Sequence, residues 1–327
     1  MTAAMSTNGT IRIGTRSSRL ARWQAEWVAQ RLHELNPRLK IDLVEIKTQG
    51  DRDRNSPLSS IGGIGLFTKE IQRAVCEGSV DVAVHSLKDL PTAGPDNLIL
   101  AAVPVREDAA DALIAPEHRT LDGLPMAARV GTSSPRRRAQ LLFLRPDIEV
   151  VSIRGNVETR LNQALDRRLD AVMLAYAGLR RLGLERHVTQ RLEPPAFLCA
   201  VGQGALGIEC RHDDLATRAL LELLDDSATH RAVRAERATL AALEGGCSLP
   251  MGAWARDVDD EGTGHEGHIL ALDAAVFELD GRARLTVALR GERADPDGLG
   301  RRAAAALLDQ GATQLLGPRR SADTPEV

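Results

Sequence analysis

Short apolar runs alternate with helix-compatible segments from residue 11 to residue 200 of the chain. Each run suits one buried strand, and strands that alternate with helices predict mainly parallel sheets. The alternation restarts near residue 110, so we expect two α/β domains. A run at 206–210 follows the second series, and we expect it to rejoin the first sheet. The other predicted strands lie at 11–13, 41–46, 80–84, 98–105, 112–114, 129–130, 150–153 and 171–174.

The pattern changes from residue 226. A helix at 229–243 is followed by strand-like runs, two of which flank Asp280-Gly281, a dipeptide typical of a tight hairpin turn. With a last helix at 296–309, this pattern indicates a small α+β domain with a three-stranded antiparallel sheet. We expect the two α/β domains to face each other across a cleft, as in periplasmic binding proteins. The expected domains are residues 1–106 together with 201–224, residues 107–200, and residues 225–327.

The composition is that of a globular protein and makes several classes of partner unexpected. Of 327 residues, 43% are hydrophobic and 27% charged, and no apolar run is long enough to span a bilayer. The polar opening of the chain lacks the apolar part of a signal peptide, so we expect a cytoplasmic protein without a membrane partner. With 2% aromatic residues and a formal net charge of -3, nucleic acid is not an expected partner. The cysteines at 76, 199, 210 and 247 show neither a disulfide framework nor metal-ligand spacing, so no metal is expected.

Two arginine clusters directly follow apolar runs of the second predicted domain. The first, at 131–138, reads GTSSPRRR, and the second, at 153–160, reads IRGNVETR. Ser134 can cap a helix that begins at Pro135, which would direct free backbone N–H groups towards the same place. One such cluster alone is more often a solvated face. Two clusters at strand ends predict a site for a polyanionic ligand, because arginine matches carboxylates and phosphates.

Two further segments carry candidate chemical groups. Asp89 lies in HSLKDLP at 85–91, directly after the apolar run 80–84, and is a candidate acid or base. A carboxylate among cations stays ionised and can stabilise a developing positive charge. The alternative is that Lys88 and Asp89 form a pair that only decorates a turn. Cys247 follows two glycines, which would let a thiol enter a cleft, although a cysteine is more often inert buried filling.

Seven segments spread over nearly the whole chain carry a recognisable pattern. They are RIGTRSS at 12–18, GLFTKE at 65–70, HSLKDLP at 85–91, GTSSPRR at 131–137, IRGNVETRL at 153–161, AVGQGALGIECR at 200–211 and GGCSLPMGA at 245–253. In this order they resemble the porphobilinogen deaminase family, whose members are also called hydroxymethylbilane synthases. A chance match of so many ordered segments is not credible.

The resemblance implies a transferase that deaminates porphobilinogen and joins four molecules head to tail on a dipyrromethane primer. The primer would be a covalent cofactor, held by Cys247 through a thioether, and Asp89 would be the catalytic residue. The linear tetrapyrrole hydroxymethylbilane would be released by hydrolysis, and ammonia would be the by-product. The implied partners are porphobilinogen and the growing oligopyrrole, and the protein is expected to be a monomer.

Every pyrrole unit carries an acetate and a propionate, so the growing chain gains negative charge and needs fixed cations. By resemblance, the residues that bind the carboxylates of cofactor and substrate are Arg16, Ser18, Ser86, Lys88, Thr132, Ser133, Ser134, Arg136, Arg137, Arg154, Gly155, Asn156, Arg160 and Gln203. Phe67 would lie near the cofactor, and Arg181 matches a family arginine. Residues 48–65 would form a lid, in which Ile64 stands where the family usually has a lysine.

The alternative function is a non-catalytic protein that binds or senses a small anion between two lobes. Two α/β lobes around a cleft describe that class as well. Such a protein would have no task for a reactive thiol at Cys247 or for Asp89. The presence of both groups therefore favours the enzyme.

Overall fold

Three sheets organise the part of the chain that the computed structural model describes, which is residues 9–48, 68–243, 249–259 and 269–315. The strands are β1 (Thr10–Thr15), β2 (Lys40–Glu45), β3 (Val82–Ser86), β4 (Leu98–Ala102), β5 (Asp111–Ile114), β6 (Arg129–Gly131), β7 (Glu149–Val151), β8 (Ala171–Ala175), β9 (Gln190–Leu192), β10 (Leu206–Arg211), β11 (Met251–Val258), β12 (Ile269–Phe277) and β13 (Arg284–Glu292). The helices are α1 (Arg19–Leu35), α2 (Lys69–Cys76), α3 (Pro135–Leu144), α4 (Val157–Leu165), α5 (Tyr176–Arg181), α6 (Leu215–Glu222), α7 (Ser227–Ala242), α8 (Pro296–Asp309) and α9 (Ala312–Leu315). Short 3-10 turns lie at Leu87–Asp89 and Glu185–His187.

The first sheet has the strand order β2-β1-β3-β10-β4. β1 pairs in parallel with β2 and β3, whereas β10 runs antiparallel between β3 and β4. Because neighbouring residues of a strand point to opposite faces, Val82 and Val84 pack with α1 and α6, while Ala83 packs with α2. The predicted return of the run at 206–210 to the first sheet is confirmed by the position of β10.

The second sheet repeats this plan with the order β7-β6-β8-β5-β9. β6 is parallel to β7 and β8, and β5 is antiparallel to β8 and β9. Each of the first two sheets is therefore mixed, with two parallel and two antiparallel neighbour pairs, where the sequence predicted mainly parallel strands. The reason is that a continuous apolar run identifies a buried strand but carries no information about its direction.

The third sheet has the order β11-β12-β13, and both pairs are antiparallel. Alternate residues of β12 pack with buried residues of α7 and α8, which gives this part of the chain its own core. The hairpin between β12 and β13 turns at Gly281, whose φ of 77° favours glycine. The predicted architecture, two α/β units and a small α+β unit, is confirmed.

The helices that begin near the candidate site have side-chain caps. Ser18, Ser134 and Asn156 stand directly before α1, α3 and α4, and each side-chain oxygen accepts from the backbone N–H three residues later. Pro135 occupies the first position of α3, where its missing N–H has no cost. The predicted start of this helix is therefore confirmed. In the described ranges, no helix combines the length and apolar character needed to cross a membrane.

Candidate active site

Asp89 ends the short 3-10 turn that follows β3. The two leucines around it, Leu87 and Leu90, are buried at 1% and 5% exposure, whereas Asp89 is half-buried. The Leu87 N–H donates to Ala205 O at 3.0 Å, and the Leu90 N–H donates to Leu87 O at 3.0 Å. Apolar anchors and backbone bonds therefore fix the turn, while the carboxylate lies at the edge of a cleft.

A cleft that is partly open to solvent lies at this end of the first sheet. Its lining residues are Arg16, Ser18, Leu20, Ala21, Gln24, Thr68, Ile71, Val84, His85, Ser86 and Asp89. Four of these are residues that the sequence predicts for the site. Gln24 is an addition, since its Nε2 donates to Ser86 Oγ at 2.8 Å and fixes that hydroxyl.

The two arginine clusters lie at one edge of the second sheet, after β6 and β7. Ser133 joins them, because its Oγ accepts from the Ile153 N–H at 2.9 Å and donates to Ile153 O. Thr132 contributes a second link, since its N–H donates to Val151 O at 2.9 Å. The backbones of the two clusters are therefore held side by side, and they form one cationic edge.

Gly155 connects Arg154 to the helix cap Asn156 in a conformation that favours glycine. Its φ is 107°, in the region that side chains disfavour. A Cβ atom at this position would lie 2.6 Å from Thr159 Cγ2, which is closer than such atoms can approach. Glycine therefore lets the backbone turn between Arg154 and the start of α4.

Asp111, which sequence patterns did not single out, pairs with two arginines of the cationic edge. It is fully buried, and its carboxylate accepts from Arg136 at 2.5 Å and from two nitrogen atoms of Arg137 at 2.7 and 2.9 Å. Gln203 Nε2 donates to the same carboxylate at 2.9 Å. Arg136 also donates to Leu198 O at 2.6 Å. Both guanidinium groups thus have a carboxylate partner within the protein, and their contact with ligand carboxylates stays a prediction.

Charged residues that follow strands of the first two sheets act on one another. Burial and the nearby charge of Arg137 together lower the pKa of Lys88 to about 8, although Asp89 acts in the opposite direction. Burial also lowers the pKa of Arg160, with a further contribution from Arg137, whereas Asp89 raises it. Lys88 and Asp89 follow β3 of the first sheet. Arg137 and Arg160 lie on helices of the second sheet, so the structure brings these predicted residues into one electrostatic site.

Some nitrogen atoms of this site make no hydrogen bond within the described residues. Arg154 Nη2 and Arg160 Nε are buried, and no acceptor is in place for either atom. A buried N–H group without an acceptor is unfavourable, so such atoms suit the oxygen atoms of a ligand. Arginine binds carboxylates through strong charge-assisted hydrogen bonds. The residues present therefore fit a cofactor or substrate that is rich in carboxylates.

Gln203 and Arg181 lie where the chain crosses between the first two sheets. Gln203 Oε1 is 3.5 Å from Lys88 Nζ, in addition to the bond that Gln203 donates to Asp111. Arg181 Nη2 donates to Gly204 O at 2.6 Å, and burial lowers the pKa of Arg181 to about 10. Gln203 therefore contacts both sides of the site, whereas the described contacts of Arg181 hold the crossover.

Several predicted residues lie outside the residues that the structure describes. They are the cofactor cysteine Cys247, Phe67, Ile64 and all of the predicted lid 48–65 except Thr48. The described neighbours of Cys247 are Leu243, directly after α7, and Leu249, shortly before β11. Cys247 is therefore connected along the chain to two elements of the third domain.

Replacing Asp111 with asparagine is expected to destabilise the fold by about 3 to 5 kcal/mol at pH 7, because two buried guanidinium groups lose their charge partner. Burial alone would raise the pKa of Asp111, but Arg136 and Arg137 hold it well below its usual value. The stabilising contribution is thus fully present above the unfolded-state pKa of about 4 and is lost as the pH falls through the lower folded-state pKa. Urea unfolding of wild type and variant at pH 7 and at lower pH measures both effects.

The matched control for this prediction is Asp147→Asn. Asp147 also pairs with an arginine, Arg145 at 2.7 Å, but both side chains reach solvent. We expect a much smaller change in the free energy of unfolding, because exposed ion pairs contribute little. Equal free energies of unfolding for wild type and Asp111→Asn at pH 7 would contradict the role given to Asp111.

The chain is similar to several known proteins. The family described as "Porphobilinogen deaminase, dipyromethane cofactor binding domain" matches residues 11–219, and "Porphobilinogen deaminase, C-terminal domain" matches residues 230–309. The porphobilinogen deaminase of Syntrophotalea carbinolica is 46% identical over 317 residues, which are 97% of this chain and 98% of that protein. That of Moorella thermoacetica is 46% identical over 306 residues, which are 94% of this chain and 95% of that protein. Among solved structures, a periplasmic binding protein with high arginine specificity from Salmonella typhimurium has 14% identity and a TM-score of 0.38, with 66% of this chain and 91% of that chain covered.

Proposed function

The chain belongs to the porphobilinogen deaminase family, and from that premise we propose that it deaminates porphobilinogen and joins four molecules head to tail into hydroxymethylbilane. It is thus a transferase of tetrapyrrole biosynthesis, and residues 11–219 match the family's dipyrromethane cofactor binding domain. One observation on this chain carries the proposal. Asp89 and Lys88, which follow β3 of the first sheet, share an electrostatic site with Arg137 and Arg160 of the second.

Carboxylate recognition is the first task of this site, because every ring of the substrate carries an acetate and a propionate. We propose that the carboxylates bind to two groups of residues. The first sheet provides Arg16, Ser18, Ser86 and Lys88, the second provides Thr132, Ser133, Ser134, Arg136, Arg137, Arg154, Gly155, Asn156 and Arg160, and Gln203 lies between them. Each charge-assisted bond contributes about 1.5 to 3 kcal/mol net. An anionic ligand beside Lys88 also stabilises its ammonium form, which burial disfavours.

The dipyrromethane cofactor fits the same set of cations. When bound, it supplies the free pyrrole carbon at which the tetrapyrrole is extended. The buried nitrogen atoms of Arg154 and Arg160 that lack an acceptor among the described residues support a role in holding its carboxylates. The backbone turn at Gly155 sets the separation between Arg154 and the start of α4, on which Arg160 lies.

The second task is to stabilise the positive charge that develops during the reaction and to assist proton transfer. We propose that Asp89 performs this task. Loss of ammonia from porphobilinogen breaks the bond between the methylene carbon and nitrogen, and it leaves positive charge on the pyrrole. The Asp89 carboxylate stabilises this charge and accepts a hydrogen bond from the pyrrole N–H. The pyrrole carbon that attacks the methylene carbon would then have to lose its proton, and Asp89 would assist this transfer.

We propose that Cys247 holds the cofactor through a thioether. Two of the other cysteines, Cys199 and Cys210, are buried, and burial raises the pKa of their thiols to about 12 and 11. Such thiols form little thiolate near neutral pH and are poor nucleophiles. Cys76 lies at the last position of α2, and its Sγ contacts Asn97 Oδ1 at 3.3 Å. These surroundings support the assignment of the attachment to Cys247.

We further propose that the protein acts as a monomer in the cytoplasm, without membrane or nucleic acid partners. The monomer is the expectation from the family, and the lack of a long apolar run argues against a membrane partner. The slightly negative net charge and the few aromatic residues argue against nucleic acid. Sedimentation of the purified protein and fractionation of cells test the two statements separately.

Incubation of the purified protein with porphobilinogen tests the proposed reaction directly. We expect one ammonia for each porphobilinogen consumed and one hydroxymethylbilane for every four. A reaction without protein and one with heat-unfolded protein serve as controls. Porphobilinogen that binds without release of ammonia would contradict the proposal, and it would favour the non-catalytic anion-binding protein instead.

A further inference from the structure

An arginine of the third domain holds the chain where it leaves the Asp89 turn. Arg237 lies on α7, and its Nη1 donates to Leu90 O at 3.0 Å. Its Nη2 donates to Pro91 O at 2.6 Å and to Thr92 O at 3.4 Å. One guanidinium group therefore contacts three consecutive carbonyl groups that directly follow Asp89.

The chemistry of this segment explains why arginine suits the position. Residues 90–92 belong to neither a helix nor a strand, so regular secondary structure does not satisfy their carbonyl groups. Pro91 has no N–H and cannot take part in a backbone ladder as a donor. The fork of an arginine presents several donors in a fixed plane, whereas lysine presents a single point charge. Arg237 can therefore fix the direction of the segment as well as its position.

The same helix also contacts the turn through an apolar residue. Val233, one helical turn before Arg237, is fully buried in a cluster with Leu87 and Leu90, the residues on either side of the Lys88–Asp89 pair. Val233 and Arg237, on one face of α7, thus both contact the Asp89 turn or the residues directly after it. The helix ends at Ala242, and the chain reaches Cys247 five residues later.

We infer that Arg237 is a positioning residue, which fixes the Asp89 turn against α7. This inference rests on the function proposed for Asp89. The carboxylate must keep a defined position relative to the reacting pyrrole at every addition, because each new bond forms beside it. An error in that position lowers the rate of bond formation more than it weakens the binding of substrate.

Steady-state kinetics of Arg237→Met and Arg237→Lys test the inference on the cofactor-loaded protein. We expect kcat of Arg237→Met to fall by about 10- to 100-fold, with KM close to the wild-type value. Arg237→Lys keeps the charge without the fork, so its kcat should lie between the two. Intact mass should show full cofactor loading in every variant. The control is Arg234→Met, which removes an exposed arginine of the same helix that pairs with Asp297, and its kcat should be unchanged.

A double-variant cycle separates positioning from a general loss of stability. Asp89→Glu already moves the carboxylate by one methylene group, so Arg237→Met should lower kcat by a smaller factor in that background than in the wild type. A residue that only supports folding would lower kcat by the same factor in both backgrounds, which would overturn the inference. If Arg237→Met does not fold, Arg237→Lys takes its place in the cycle.

The inference and the proposed function fail in different ways. Wild-type kcat in both Arg237 variants, together with an inactive Asp89→Ala variant, would reject only the positioning role. An active Asp89→Ala variant would reject the function proposed for the site. An equal loss of kcat in Arg234→Met and Arg237→Met would also reject positioning, because it would show that α7 responds to any loss of charge.

Discussion

Replacing Asp89 with alanine is expected to lower kcat for porphobilinogen by about 1000-fold or more, because one carboxylate provides both charge stabilisation and proton transfer. The fold should be preserved, since Leu87 and Leu90 anchor the turn and the Asp89 side chain lies at the cleft. Cofactor attachment should also be preserved if Cys247 is the site of attachment. Initial rates of ammonia release, with intact mass as the measure of cofactor loading, check the expectation.

Two further variants make the Asp89 experiment specific. Asp96→Ala removes an exposed aspartate from the loop that follows the turn, and it should retain the wild-type rate. Asp89→Asn keeps the size of the side chain without its charge, and it should be nearly as slow as Asp89→Ala because the charge stabilises the developing cation. Ammonia release near the wild-type rate in fully loaded Asp89→Ala protein would show that another group performs the chemistry.

Replacing Cys247 with serine is expected to yield folded protein that lacks the covalent cofactor and forms no hydroxymethylbilane. A serine hydroxyl has no accessible anion near neutral pH, so an ether should not form where the thiol forms a thioether. Folding should be little affected, because serine differs from cysteine by a single atom and is close to it in size. Intact mass and thermal unfolding of the purified variant measure the two parts of this expectation.

Cys76→Ser is the matched control for the cofactor experiment. Cys76 is half-buried at the end of α2, and its replacement should leave both cofactor loading and kcat unchanged. If Cys247→Ser protein still carried the cofactor mass, the attachment would have to lie on another residue. A loss of loading in Cys76→Ser alone would point to that residue instead.

Local patterns predicted the elements well because each pattern reflects one local constraint. The last helix was predicted at 296–309, and it is observed at Pro296–Asp309, where Asp295 caps it and Pro296 occupies its first turn. The start of α3 after Ser134 follows from the same rules. Strand direction was not predictable in this way, because β5 and β10 are antiparallel through pairings with strands far away in the sequence.

Some residues of the candidate site could be predicted from local sequence patterns, whereas others could not. Asp89 and the arginine clusters could be found because they stand directly after apolar runs, where side chains leave a sheet. Asp111 shows no such signal except that it precedes the apolar run 112–114, and its partner Arg136 is 25 residues away. The contact between Arg237 and Leu90 joins residues that are 147 positions apart. Residues that stabilise the site through partners distant in the sequence can therefore be identified only from a three-dimensional structure.

Mass spectrometry of the wild-type protein, intact and after proteolysis, tests most directly whether Cys247 anchors the chain that is extended beside Asp89. The predicted result is one dipyrromethane on the peptide that contains residue 247, and on limiting porphobilinogen a ladder of added pyrrole units on that same peptide. Asp89→Ala protein should show the dipyrromethane without the ladder. An unmodified mass in active wild-type protein, or a ladder on a peptide without residue 247, would contradict the central claim.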